Sequence, residues 1–257
     1  MFDLVVHCHG GGAYGHGHAS RMLAVAKAGV RAGIRVAVHA SLDVLSGWDW
    51  PCAKIVLGSV DRIPSDVHVI DSYGPEEFLL RIRRESLVWL VSDGESYESE
   101  TKHSANVGYI YPHFGESPSF NAPVLMGPRY YPLRPEFRPQ WTEKIRGRTG
   151  VGYRINPTFG LRDLSAEKLS VSEMRYFIGG AKYIVCPPSV VAYEAMSLGT
   201  PVLIHGDHGW PDLAQSLVDA GVASHYEGVP VRGGRTERFV DGRGADRIIL
   251  AITGTAL

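Results

Sequence analysis

Residues 4–33 read LVVHCHGGGAYGHGHASRMLAVAKAGVRAG, and the two changes of character within this stretch decide the fold class. LVVHC is a short run rich in β-branched residues, of strand length. The glycines that follow interrupt any regular element. Met22, Val25, Ala26 and Val30 then recur at helical spacing, Arg21, Lys27 and Arg31 take other faces, and Gly33 ends the pattern. Strand, glycine turn and helix in that order predict one βα unit of a parallel sheet.

The same alternation continues outward. RVAVHA (35–40), AKIVLG (53–58), VHVID (67–71) and LVWLVSD (87–93) predict four more strands. PEEFLLRIRRES (75–86), acidic at its start and basic at its end, predicts a helix. From about Pro112 to Gly150 the chain turns to proline, glycine and aromatic residues, as an ordered interdomain connection would. The α/β pattern then returns with a helix near SEMRYFIGG, a strand KYIVCPP, a helix SVVAYEAMSLG, a strand PVLIHG, and helices DLAQSLVDAG and RGADRIILAIT. The expected organisation is two α/β domains, 1–122 and 123–257, with no internal repeat beyond the βα alternation.

A chain of 257 residues with 44% hydrophobic and 21% charged content can bury a sizeable core, which excludes global disorder. Its 30 glycines and 16 prolines follow no triplet period, so collagen-like structure is excluded too. A formal charge of −1 argues against binding a polyanion through bulk field. The arginines at 81–84 and 146–148 could touch phosphates locally or form solvated surface. Three widely spaced cysteines, Cys8, Cys52 and Cys186, do not form a secreted disulfide framework. With no secretory leader pattern and no apolar run of about 18 residues, a cytoplasmic protein without a membrane span is expected.

Ligands of open parallel sheets bind beyond the carboxyl ends of the strands, and three segments stand there. In the first, HGGGAYGHGHASR (9–21), glycines allow close approach of backbone to ligand, and the helix start offers N–H groups to an anion. His18 at this turn could be a general base, or His16 and His18 could cap the helix. His7, Cys8, His9, His16 and His18 are dense in metal-ligand types, but only His7 and His9 share a strand face and no second cluster completes a site, so no metal is expected. In the second segment, Asp71-Ser72-Tyr73-Gly74, Asp71 could orient an imidazole or a hydroxyl, or cap the next helix. In the third, Ser189 is suited to N-cap a helix whose amides could face a diphosphate, and Glu194 could hold ribose hydroxyls or lie on a solvated surface.

Gly15-x-Gly17-His18-x-x-Arg21 resembles the N-terminal motif of the UDP-sugar hydrolase of pseudaminic-acid biosynthesis, a family grouped with the GT-B glycosyltransferases. Asp71-x-Tyr73-Gly74 is similar to a strand-end motif of that family, GPRYYPLRPEF (127–137) to its interdomain signature, and Ser189 to Pro201 to the GT-B donor-site helix. The resemblance implies a GT-B-like fold of two Rossmann-like domains with parallel sheets facing a cleft, and a nucleotide diphosphate sugar, with uridine as nucleoside, as donor. It implies His18 as base near the anomeric carbon with Asp71 orienting it. Gly15, Gly17, Arg21, Arg129, Ser189 and Glu194 would lie toward the donor, and His16 and Tyr73 toward the acceptor. No cofactor or metal is implied, because helix N–H groups can stabilise the leaving diphosphate. The relatives carry a fuller βαβα unit between the positions of Phe137 and Lys182, so an abbreviated C-terminal domain is expected, with Gly150, Gly152 or Gly160 as stand-ins for its glycine loop. Glycosyl transfer is the expected activity. The alternatives are hydrolysis of a UDP-sugar, transfer to a nucleic-acid acceptor, and nucleotide-sugar binding without catalysis.

Overall fold

The computed structural model describes residues 2–10, 16–93, 106–115, 122–138, 153–154, 162–163, 169–206, 210–226 and 239–255. Gly15, Arg146, Arg148, Gly150, Gly152 and Gly160 lie outside them. Contacts divide the chain into two compact units, Met1–Pro112 with Glu116–Pro132 and Gly244–Leu257, and His113–Gly115 with Leu133–Arg243. Residues 123–132 and the C-terminal helix, counted with the rear half in the sequence, therefore pack with the front unit.

The first unit is built on β1 (Phe2–Cys8), β2 (Val36–Ala40), β3 (Ala53–Val56), β4 (Ser65–Asp71), β5 (Leu87–Val91), β6 (Val107–Tyr111) and β7 (Val124–Met126). They form a parallel sheet in the order β3-β2-β1-β4-β5-β6-β7. The chain runs outward from β1 through β2 to β3 and returns to the other side of β1 at β4, so the strand order reverses there. Strand alternation sends Leu4, Val6 and Cys8 to one face, where they meet Ala19, Met22, Leu23 and Val25 of α1 (Gly17–Arg31). Small residues let α1 lie close to the sheet; a Cβ on Gly29 would stand 2.8 Å from the Val36 side chain.

α7 (Gly244–Thr253) packs Ile248, Ile249 and Ile252 into the same core and pairs Asp246 with Arg31 at 2.6 Å. The opposite face of the sheet holds Val5, His7, Ala37, His68 and Ile70. Three elements here went unread in the sequence: α2 (Leu42–Gly47), β6 and β7. The expected helix at 75–86 is a single turn, α3 (Glu76–Leu79). It stops because Arg81 turns inward, where its carbonyl accepts from the Ile63 amide at 3.2 Å and its guanidinium donates to the Val60 carbonyl at 2.7 Å. That contact removes Arg81 from any phosphate-binding face.

In the second unit β8 (Tyr153–Arg154), β9 (Arg162–Asp163), β10 (Ile184–Cys186), β11 (Val202–Ile204) and β12 (Ser224–His225) form a parallel sheet in the order β12-β11-β10-β8-β9. α4 (Val171–Gly180) opens with a capping box between Ser170 and Glu173. α5 (Val190–Ser197) follows β10, and α6 (Pro211–Asp219) follows β11. β10 lies between β8 and β11, so this sheet too reverses its order beside the strand that leads to Ser189. Among the described residues no helix is long and apolar enough to cross a membrane.

Candidate functional site

In the first unit the reversal of strand order brings the end of β4 beside the end of β1, with Asp71 in register with Cys8 on one side and Val91 on the other. The helix that follows β1 starts above this point. His16 is exposed just before α1, makes no side-chain cap, and accepts the Ser20 amide on its carbonyl at 3.0 Å. Gly17 is the first helical residue. One position on, the His18 ring turns down toward the sheet with 3% of the residue exposed.

His18 Nδ1 lies 2.5 Å from Asp71 Oδ1. A carboxylate accepts only, so the proton of this bond sits on Nδ1, and the neutral ring presents a lone pair on Nε2. Nε2 is buried and has no hydrogen-bond partner. The Tyr73 ring stands edge to face with the imidazole, centroids 4.5 Å apart. His18 therefore bonds across to the sheet, and α3 has Pro75 at its N-cap with no side-chain capping bond, so Asp71 does not cap it.

Arg21, one turn beyond His18, completes the group. Its Nε donates to Asp71 Oδ2 at 2.7 Å and its Nη2 to Asp71 Oδ1 at 2.8 Å, while Nη1 and Nη2 donate to Asp93 Oδ1 and Oδ2 at 2.6 and 2.9 Å. Burial disfavours the guanidinium charge, but Asp71 and Asp93 outweigh it and hold Arg21 well above its ordinary pKa. Tyr131 lies with its ring 6.0 Å from the guanidinium, and burial pushes its phenol up. Burial, reinforced by Asp71, likewise raises the Cys8 thiol. The donor role expected of Arg21 thus meets a guanidinium already committed to two carboxylates.

In the second unit Glu194 sits on α5 with 1% of the residue exposed, which excludes the solvated-surface reading. Arg134 donates to its Oε1 from Nε at 3.1 Å and Nη2 at 2.6 Å and stacks its guanidinium 5.0 Å from the Phe137 ring. Burial pushes the Glu194 carboxyl up, and Arg134 offsets part of that rise. Ser189 occupies the N-cap of α5 in an extended conformation without a side-chain capping bond. His113 Nδ1 meets the Tyr193 hydroxyl at 2.8 Å on the same helix. In the first unit Arg129 is exposed and folds over its neighbour Tyr130, 4.9 Å from the ring, with Nη2 donating to the phenol oxygen at 2.9 Å.

The structure brings His18, Asp71, Arg21 and Tyr73 together and leaves His16 and Arg129 outside that group. The sequence gives Asp93 and His113 no role, and Tyr131 and Arg134 enter it only as members of GPRYYPLRPEF. Asp93 had a usable signal, an acidic residue closing a buried strand. Arg134 had one as well, in the arginine of LRPEF. Among the described residues no three His, Cys, Asp or Glu side chains converge on a metal position. His9 instead bonds the Ser72 hydroxyl at 2.6 Å, and His7 is drawn into the core with His39 and His68.

No protein-family model and no curated protein matches the chain. Solved structures do. MurG from Acinetobacter baumannii superposes with a TM-score of 0.52 at 11% identity, covering 97% of this chain and 90% of that one. The spinosyn forosaminyltransferase SpnP gives 0.53 at 11% identity over 98% and 93%. The glycosyltransferase VinC, solved in complex with DTDP, gives 0.50 at 12% identity over 98% and 96%. Two parallel α/β units, each with its strand order reversing beside a helix that carries a candidate site residue, together with these superpositions, establish that the chain has the GT-B glycosyltransferase fold.

Proposed function

We propose that this protein transfers a sugar from a nucleotide diphosphate sugar, with uridine as nucleoside, to an acceptor hydroxyl, and that His18 is the general base. The observation that carries the proposal is the His18 ring itself: Nδ1 is held by Asp71 and Nε2 is unpartnered. An imidazole so oriented takes a proton on Nε2 while Asp71 stabilises the imidazolium that forms. The acceptor O–H proton moves to Nε2, the oxygen forms the new bond to the anomeric carbon, and the old C–O bond breaks with its electron pair leaving on the diphosphate. Ser189 and Glu194 on the second unit are the proposed donor contacts, and the DTDP in the VinC structure supports a nucleotide diphosphate ligand for this fold.

The test is His18→Ala, assayed with UDP-sugars across a panel of acceptors, with UDP affinity measured by calorimetry. Turnover is expected to fall at least ~10²-fold with UDP affinity nearly unchanged, the signature of a lost base. An unaltered rate removes His18 from the mechanism. Cleavage of the donor at full rate with no acceptor present would make the protein a hydrolase instead.

A further inference from the structure

The Arg21 guanidinium is shared between two carboxylates, and one of them never touches His18. Asp71 alone already receives two hydrogen bonds from Arg21 as well as the imidazole N–H. Asp93, after β5, adds two more contacts on the far side of the guanidinium, with its side chain 14% exposed. Asp71 already fixes the guanidinium at two points, and the second carboxylate brings a further negative charge to the group.

With Arg21 positive and Asp71 and Asp93 negative, the group carries one net negative charge while His18 is neutral. Among the described residues the Cys8 thiol and the Tyr131 phenol, both raised by burial, add no charge, and Tyr73 contributes a ring edge. A buried net charge is unfavourable, and one proton on His18 cancels it. Without Asp93 the balance reverses: Arg21 neutralises Asp71, and a proton on the imidazole leaves a net positive charge in the interior.

We propose that Asp93 is a positioning residue that acts through Arg21, drawing the guanidinium charge away from Asp71 so that the His18–Asp71 pair is built to accept a proton. The proposal rests on the reading of His18 as the base, but its test does not depend on turnover.

The experiment is a pH titration of the imidazole nitrogens by NMR on the full chain labelled at histidine, with His18→Gln used to assign the signal. Asp93→Asn should move the midpoint of the His18 titration down by about one pH unit, the low end for a charge a few ångströms away and partly screened. Asp93→Glu should return it most of the way, and the Nδ1–H tautomer should persist in both variants. Asp93→Ser serves as a second charge-removing variant should the asparagine fail to fold. A midpoint that stays within about 0.2 pH unit of wild type in the variants lacking the charge overturns the proposal; that margin is well below the shift expected from removing a nearby charge. If the midpoint moves as expected but no nucleotide sugar is turned over, the proposed function fails while the charge balance stands. If turnover depends on His18 and the midpoint does not move, only the role of Asp93 is lost.

Discussion

Lowering the pH from 7 to 5 should loosen the first unit through three histidines that the chemistry of the site does not use. His7 on β1, His39 on β2 and His68 on β4 are each fully buried on the sheet face opposite α1. His7 Nδ1 meets His39 Nδ1 at 3.0 Å, His7 Nε2 meets His68 Nδ1 at 2.9 Å, and Nε2 of both end rings has no partner. Burial holds all three below the ordinary histidine value, His7 well below and His39 and His68 near about 4 against 6.5. For His7 the neighbouring His68 and His39 add to the effect, for His39 it is Arg81 and His9, and for His68 it is His39.

Because the folded-state values lie below the unfolded one, the unfolded chain takes up protons first. The stability is intact above pH 6.5 and drains away as the pH falls toward 4. Between pH 7 and 5 each end histidine should cost about 2 kcal/mol, or roughly 4 kcal/mol for the two treated as independent. That is a large part of the stability of an ordinary domain. The assay is hydrogen exchange of β1 and β4 amides, corrected for the intrinsic pH dependence of exchange, which reads the first unit alone. Protection should drop by roughly a thousandfold at pH 5, the equivalent of that free energy. In His68→Leu about half of the pH-dependent loss should disappear. An identical loss in wild type and variant would refute the reasoning.

Gly244→Ala should detach α7 from the first unit, because its Cβ would collide with the Tyr131 carbonyl group, and backbone cannot move aside as a side chain can. A loss of about 2–3 kcal/mol in urea unfolding is expected, with exchange in α7 accelerated first. Arg134→Met should leave the buried Glu194 carboxylate unpaired and cost the second unit about 3–5 kcal/mol by the same measurement, while Arg134→Met combined with Glu194→Gln should recover most of it.

Much of the frame is legible along the chain. LVVHC, RVAVHA, AKIVLG, VHVID and LVWLVSD announce their strands because each is apolar, β-branched and bounded by turn residues, and β1 to β5 appear where those runs stand. VGYIY is of the same kind, but Gly108 in its middle weakens the strand signal; glycine is needed there because a Cβ would come within 2.7 Å of the Trp89 ring. PEEFLLRIRRES has a helix pattern and good end charges, yet it makes one turn. Local propensity contributes only tenths of a kcal/mol per residue, and the inward contacts of Arg81 override it. His18 could be picked out as a polar residue where a glycine turn passes into a helix, and Asp71 as one at a strand end. Their partnership across 53 residues is a matter of which strands are neighbours.

The amino-acid order by itself determined that this is a parallel α/β protein and made the turn after the first strand a candidate site, because hydrophobic period and turn residues act over a few neighbouring positions. Only tertiary structure decided that Arg21 and Asp93 complete the His18 group, that Arg134 pairs with Glu194, that three scattered histidines meet in one core, and that the last helix returns to the first unit. Each of these joins residues distant in sequence, and strand order and packing, which place them within hydrogen-bonding reach, leave no periodic mark on the chain.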